Sequence, residues 1–196
     1  MTTIDALIAD LGRPDRLLRN KAVWSLKKLG EAARSAVPAL KLVMDDTTEP
    51  YLQIMAAGAI SKIAPEDPVP VPVLVAGLKD KEGLHRAAAI EFLGERRSKT
   101  AVLNAMTMLS DPDLICRFAA GKAIGKTFGD WMHAVAVCVA MLKDENATNR
   151  AMGGECLLSI RRQAQDHLDL LTMALADAPW EVRLDIEEVL AELRKQ

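Results

Sequence analysis

Four aspartates that recur 31 to 33 residues apart are each followed six residues later by an arginine: Asp80 and Arg86, Asp111 and Arg117, Asp144 and Arg150, Asp177 and Arg183. Met out of context, such pairs look like acid–base machinery, a carboxylate to move a proton and a cation to hold charge. Cys116, Cys138 and Cys156 add three thiols, and His85, His133 and His167 three imidazoles. The odd cysteine count without a CxxC spacing fits neither a disulfide framework nor a zinc site. No HExxH, no paired His and Glu and no glycine-rich phosphate loop accompanies the histidines. Metal and cofactor chemistry are therefore not expected, and the Asp and Arg residues remain the candidates to explain.

Their spacing is what assigns them. Aligned on one column, Arg19, Gln53, Arg86, Arg117, Arg150 and Arg183, the chain repeats at intervals of 34, 33, 31, 33 and 33 residues. Seven residues after each anchor stands an aliphatic side chain (Leu26, Ile60, Leu93, Ile124, Leu157, Leu190). Two residues before each of the four aspartates stands a leucine (Leu78, Leu109, Leu142, Leu175). Residues that recur once per structural unit belong to the architecture, whereas a catalytic constellation would interrupt the period. The eight Asp and Arg residues are read as structural, and no catalytic residue is assigned.

Each period holds two helices. Helix A is expected to start just after the Asp, which can cap it, and to run through the anchor. Pro112 and Pro179 then fall in the first turn, where proline costs little. Its apolar positions lie one before the anchor and three, four, seven and ten after it, a helical stripe that reads Leu18, Ala22, Val23, Leu26 and Leu29 in the first period. The inner column is small (Ala22, Ala56, Ala89, Ala120, Gly153), which lets helices approach closely. Glycines such as Gly30 and Gly129 mark the turn into helix B, which ends at the residue that closes the period. Residues 3–11 match a lone helix B and residues 179–194 a lone helix A, with Glu187 in a column that elsewhere holds small or apolar residues. The fold class that follows is all-α, a superhelical solenoid of about five to six two-helix repeats and about twelve helices, with residues 1–196 forming one domain.

These columns, together with the Leu-x-Asp end of helix B and the stretch 30–40 (Gly-Glu-Ala-Ala-Arg-Ser-Ala-Val-Pro-Ala-Leu), resemble the HEAT repeat family in its short form, as found in bilin lyase-type proteins. The resemblance spans nearly the whole chain. It implies that the Asp and Arg columns make a ladder between neighbouring repeats and that helix B lines the concave side. Thr47 and Gln53 in the second repeat, and Arg13 where the first Asp would stand, depart from that pattern.

The positions of helix B that lie off the core stripe, one, two and five residues before its closing residue, hold no charge in five repeats. At 27% charged overall, about four of these fifteen would be charged if face did not matter. Either the face docks a partner or neighbouring B helices cover it. The partner-binding candidates are Leu42, Val73, Asn104, Met108, Trp131, Val137, Met141, Leu170 and Met173. The column five before the closing residue is expected to be the most open. Trp131 can instead cap the turn between two helices. The cysteines read as small core hydrophobes. Residues 12–41 carry eight Lys or Arg and the last helix is acidic, which suits either a solvated surface or a site for an anionic partner.

A formal net charge of -2 and an uncharged candidate face argue against nucleic acid as the partner. The N-terminus has no basic segment followed by a long apolar run, and the densest apolar stretch, 131–142, is too short for a bilayer span. A cytoplasmic setting is expected for a chain with thiols but no disulfide pattern. The expected function is a non-enzymatic scaffold or adaptor that binds a protein partner, a second copy of itself or a hydrophobic ligand through the helix-B face. The family resemblance implies an alternative, help in attaching or removing bilins on phycobiliproteins. A DNA glycosylase-like role stands further off, because such enzymes use a basic, aromatic concave face, and the His-Glu iron ligands of HEAT-like deoxyhypusine hydroxylases have no counterpart.

Overall fold

Ala and Leu dominate the apolar half of this sequence, and these strong helix formers favour helices. The structure, a computed structural model, describes residues 3–97, 99–178 and 180–194; the side chains of residues 99–102, 177, 181 and 182 are not described. Among the described residues, twelve α-helices of eight or more residues follow in order: α1 (Ile4–Leu11), α2 (Arg16–Leu29), α3 (Val37–Asp45), α4 (Pro50–Ile63), α5 (Pro70–Gly77), α6 (Gly83–Glu95), α7 (Lys99–Met108), α8 (Leu114–Phe128), α9 (Met132–Leu142), α10 (Ala147–Ser159), α11 (Leu168–Asp177) and α12 (Trp180–Arg194). Even-numbered helices are the A helices of the period and odd-numbered ones the B helices.

The chain forms two compact units, residues 1–104 and 105–196. In the first, α4 packs against α2, α3, α5 and α6, and α1 packs on α2. In the second, α9 lies against both α8 and α10, and α12 packs on α10 and α11. The aliphatic column seven after the anchor supplies the core of both: Leu26, Ile60, Leu93, Ile124, Leu157 and Leu190 are all buried. Each such side chain removed from water stabilises the fold by about 1.5–3 kcal/mol. The small column beside it, Ala22, Ala56, Ala89, Ala120 and Gly153, is buried as well. Gly30 (φ +57°) and Gly129 (φ +79°) end α2 and α8 in the left-handed region, where a side chain would be strained.

The helix starts fall later than the aspartate columns suggest. The Asp80, Asp111 and Asp144 carboxylates accept the backbone N–H of Glu82, Asp113 and Asn146, two residues on, and so build a turn. Two of the residues reached by those turns cap their helices through their side chains, whereas Glu82 holds the cap position of α6 without such a bond. Asp113 accepts from Ile115 N–H at 3.0 Å and Asn146 from Thr148 N–H at 2.9 Å. An aspartate serves either role, and here the second polar residue sits closer to the first helical turn. Pro112 accordingly precedes the cap of α8 and is not in its first turn. Pro50 and Pro70 do open α4 and α5. Pro179 lies outside the described residues.

Candidate partner-binding face

The three off-core columns of helix B separate cleanly. One residue before the closing position, Val43, Gly77, Met108, Met141 and Ala174 are all buried. Two residues before it, Leu42, Ala76, Thr107, Ala140 and Met173 are all exposed, with Leu42 75% and Met173 65% accessible. Five before it, Ala39, Val73, Asn104, Val137 and Leu170 are half-buried. The most open column is thus the one two before the closing residue, not the one five before it.

The neighbouring A helices explain this order. A Cβ on Gly77 would lie 3.0 Å from Ile54 of α4 and 3.1 Å from Ala89 of α6, so that column is wedged between two A helices. Met141 fills the space left by Gly153 of α10, its Cβ 2.9 Å from where a methyl group on that glycine would sit. Met108 and Met141 are therefore core residues and offer no surface to a partner, which corrects their place among the candidates. The exposed column is rotated about 100° away, clear of the A helices.

Shallow grooves recur along the half-buried and exposed columns. Ile8, Leu11, Ala39 and Leu42 line one of about 330 Å³ between α1 and α3, with Arg19 and Asp46 at its edge. Val73 and Ala76 line a smaller one of about 150 Å³ with Gln53 and Asp80. In the second unit Val137, Ala140, Leu109, Leu114, His133 and Arg117 enclose about 310 Å³. Each groove combines an anchor residue with the side chains 20 and 23 positions after it: 19 with 39 and 42, 53 with 73 and 76, 117 with 137 and 140. The anchors thus have more than the structural role their period implies: this constant offset also places them beside the exposed and half-buried columns of helix B.

Several anchors tie their helix A to the segment that ends or follows the preceding helix B. Arg86 donates to the carbonyls of Asp80 and Lys81, and Arg150 to those of Asp144 and Glu145. Arg183 donates to Ala178 O at 2.9 Å, and Gln53 does the same job in its repeat, donating to Met44 O at 2.8 Å. Met44 lies in the last turn of α3, where carbonyls lack partners within their own helix, whereas Asp80, Lys81, Asp144 and Glu145 lie in the turns after α5 and α9, so these bonds fasten helix A to both kinds of backbone. Ion pairs add to this: Arg150 of α10 with Asp185 of α12 at 2.7 Å, and Arg19 of α2 with Glu49 at the start of α4 and Asp46 at the end of α3. The side chain of Asp177 lies outside the described residues.

Two carboxylates at groove edges are held in the charged form. Thr48, through its hydroxyl and its N–H, and then Arg19 hold Asp46 below its ordinary value. Burial pushes Asp80 up, but the Glu82 N–H and His85 outweigh it and leave the carboxyl lowered. His85 lies 3.1 Å from Asp80 and stacks on Tyr51. Among the described residues no cluster of His, Cys, Asp and Glu could hold a metal ion.

The remaining candidates resolve individually. Trp131 lies on Gly125, where a Cβ would come within 2.5 Å of the ring, so it packs the α8–α9 turn. Of the eight cations in residues 12–41, Arg13, Arg16, Arg19, Lys27, Arg34 and Lys41 are ion-paired within the first unit, which leaves little of that charge for an anionic partner. Cys116 and Cys138 are fully buried, as their columns imply, but Cys156 is only half-buried. A further groove of about 410 Å³ lies between α10 and α12, with Ala151, Leu158 and Val189 as an apolar floor and Glu155, Glu188 and Glu192 around it. No described helix is long and apolar enough to cross a membrane.

Comparison with known proteins fits this geometry. The HEAT repeats family is matched over residues 71–131. No curated protein matches the sequence. Among solved structures the chain is similar to YibA of E. coli, 20% identical with a TM-score of 0.57 over 95% of this chain and 69% of that one. It is also similar to an engineered protein, 17% identical with a TM-score of 0.50 over 99% and 97%. A chain from the complex of CpcE and CpcF of phycocyanin lyase from Nostoc sp. PCC7120 is 18% identical with a TM-score of 0.49 over 98% and 95%. At these identities the first two show a shared helical fold.

Proposed function

We propose that this chain, which carries HEAT repeats, is a scaffold that docks a protein partner on its helix-B face. One observation carries the proposal: in every repeat the exposed column of helix B is uncharged, beside a half-buried column that is uncharged too. Solvent-facing positions of a helix ordinarily carry charge, and a recurring uncharged, mostly apolar row flanked by grooves supports an interaction surface. The grooves are shallow and open, and the first two stand in successive repeats, which suits side chains of a partner's helix or extended segment better than an enclosed small molecule. Arg19, Gln53 and Arg117 stand at the groove edges and can donate hydrogen bonds to a partner's backbone or carboxylates.

The test uses one exposed residue from each unit, Leu42→Glu and Ala140→Glu. Affinity capture from native lysate with quantitative mass spectrometry should show proteins recovered by the wild type and depleted about tenfold or more by either variant, equivalent to about 1.4 kcal/mol of binding. Circular dichroism and Tm should stay near wild type, because neither side chain is buried. Light scattering on the same samples shows whether the partner is a second copy of the chain. Equal recovery of the same proteins by wild type and both variants would defeat the proposal.

A further inference from the structure

Helices α9 and α10 come close where Gly153 faces α9: a methyl group there would lie 2.9 Å from Met141 Cβ and 3.1 Å from the Cys138 carbonyl oxygen. Cys156 is three residues further along α10, on the same side. It packs against the buried cluster that holds Cys138, and the two thiols lie close enough across the helices for each to perturb the other. Cys138 is fully buried, whereas Cys156 is only half-buried. From α8 the Lys122 ammonium, 5.3 Å over the Phe118 ring, brings positive charge to the same spot. Nothing in the repeat requires a thiol at Cys156, because the same column holds Ser25, Ala59 and Ala123.

We propose that Cys156 and Cys138 form a peroxide-responsive thiol pair, in which Cys156 reacts first and Cys138 closes a disulfide between α9 and α10. The surroundings favour this order. The Cys138 thiol and Lys122 hold Cys156 below its ordinary value, against burial and the charge of Glu155. Contact with Cys156 and burial push Cys138 up. A thiolate that is partly exposed, beside a cation and next to a second thiol has the features of a redox-sensing cysteine.

The chemistry balances with hydrogen peroxide as the oxidant. The Cys156 sulfur attacks one peroxide oxygen, the O–O bond breaks, and the departing hydroxide takes up a proton as water. Cys156 is now a sulfenic acid, oxidised by two electrons. The Cys138 sulfur attacks it, the S–O bond breaks, and hydroxide leaves with the Cys138 proton as a second water. Two thiols and one peroxide yield one disulfide and two waters.

The full chain is treated with limiting hydrogen peroxide, quenched by alkylation and mapped by mass spectrometry. A Cys138–Cys156 linked peptide, 2 Da lighter than the two thiol peptides together and restored by dithiothreitol, is the expected product. In Cys138→Ala a dimedone adduct should build up on Cys156. Lys122→Gln should slow Cys156 oxidation about threefold to tenfold, with Lys122→Arg close to the wild-type rate. The wild-type mapping needs no substitution, so a variant that folds poorly leaves the test intact. Oxidation of Cys156 no faster than that of free cysteine, or adducts on Cys156 without the linked peptide in the wild type, would overturn the proposal.

Discussion

Asp67, in the loop between α4 and α5, accepts a hydrogen bond from Lys41 Nζ at 2.7 Å and another from Val69 N–H at 3.0 Å. The Lys41 contact first, then the Val69 bond and the charge of Arg96, hold its carboxyl below the ordinary value despite some burial. Arg96 also donates to the Asp67 carbonyl at 3.0 Å, so one residue ties the loop to α3 and to the end of α6. Because the folded value lies below the unfolded one, the ionised carboxylate adds stability that is complete above the ordinary carboxylate range. That stability is lost as pH falls through the folded value. Asp67→Asn should therefore cost about 1 kcal/mol at pH 7, a Tm shift of roughly 2–4 °C, with the contribution kept small by the partial exposure of Lys41. Thermal melts of both proteins should converge as pH is lowered below about 4. A gap that stays constant from pH 7 to acid would show that the carboxylate charge is not what stabilises the loop.

Between elements, Gly121 marks the tightest approach of α8 to α9. A Cβ there would lie 2.6 Å from both the Cα and the N of Ala134, and backbone atoms cannot swing aside as a side chain can. Gly121→Ala should cost about 1–3 kcal/mol by denaturant unfolding, even though alanine favours the helix more than glycine. Gly12→Ala is the control: its Cβ would meet only Ala9 O at 3.7 Å with an ordinary φ of -86°, so it should be neutral or stabilise by up to about 1 kcal/mol. Equal effects of the two substitutions would mean that α8 and α9 are not held at this point. The period, the A and B helices and the buried aliphatic column were legible in the sequence because each rests on many residues at once. The capping aspartates were placed too early because Asp111 and Asp113 are both good caps, and only the backbone path says which one meets the first turn. Met141 and Ala140 were not separated for a related reason. A helical wheel sets them 100° apart, but whether one of them is covered depends on where α10 lies, which no period specifies.

Across the whole molecule, charge is spent on holding the repeats together and is missing where a partner would dock. Six cations of the first repeats are paired with carboxylates of the first unit, and Arg150 and Arg161 meet Asp185 and Glu192 in the second. The exposed column of helix B, Leu42, Ala76, Thr107, Ala140 and Met173, carries no charge. Association through such a row is driven by apolar burial, which added salt does not screen. Partner capture by the wild type should change by less than about threefold between 0.05 and 0.5 M salt. A protein that neutralised six to ten phosphates would instead lose about a thousandfold or more in affinity between 0.05 and 0.2 M. Duplex DNA should accordingly give no mobility shift even at the lower concentration, in keeping with a formal net charge of -2. Steeply salt-dependent capture, or a DNA complex that Leu42→Glu and Ala140→Glu both weaken, would mean that the helix-B row recognises a polyanion through cations beside it. The anchors Arg19 and Arg117 would then be the residues to substitute next, since they are the cations already at the groove edges.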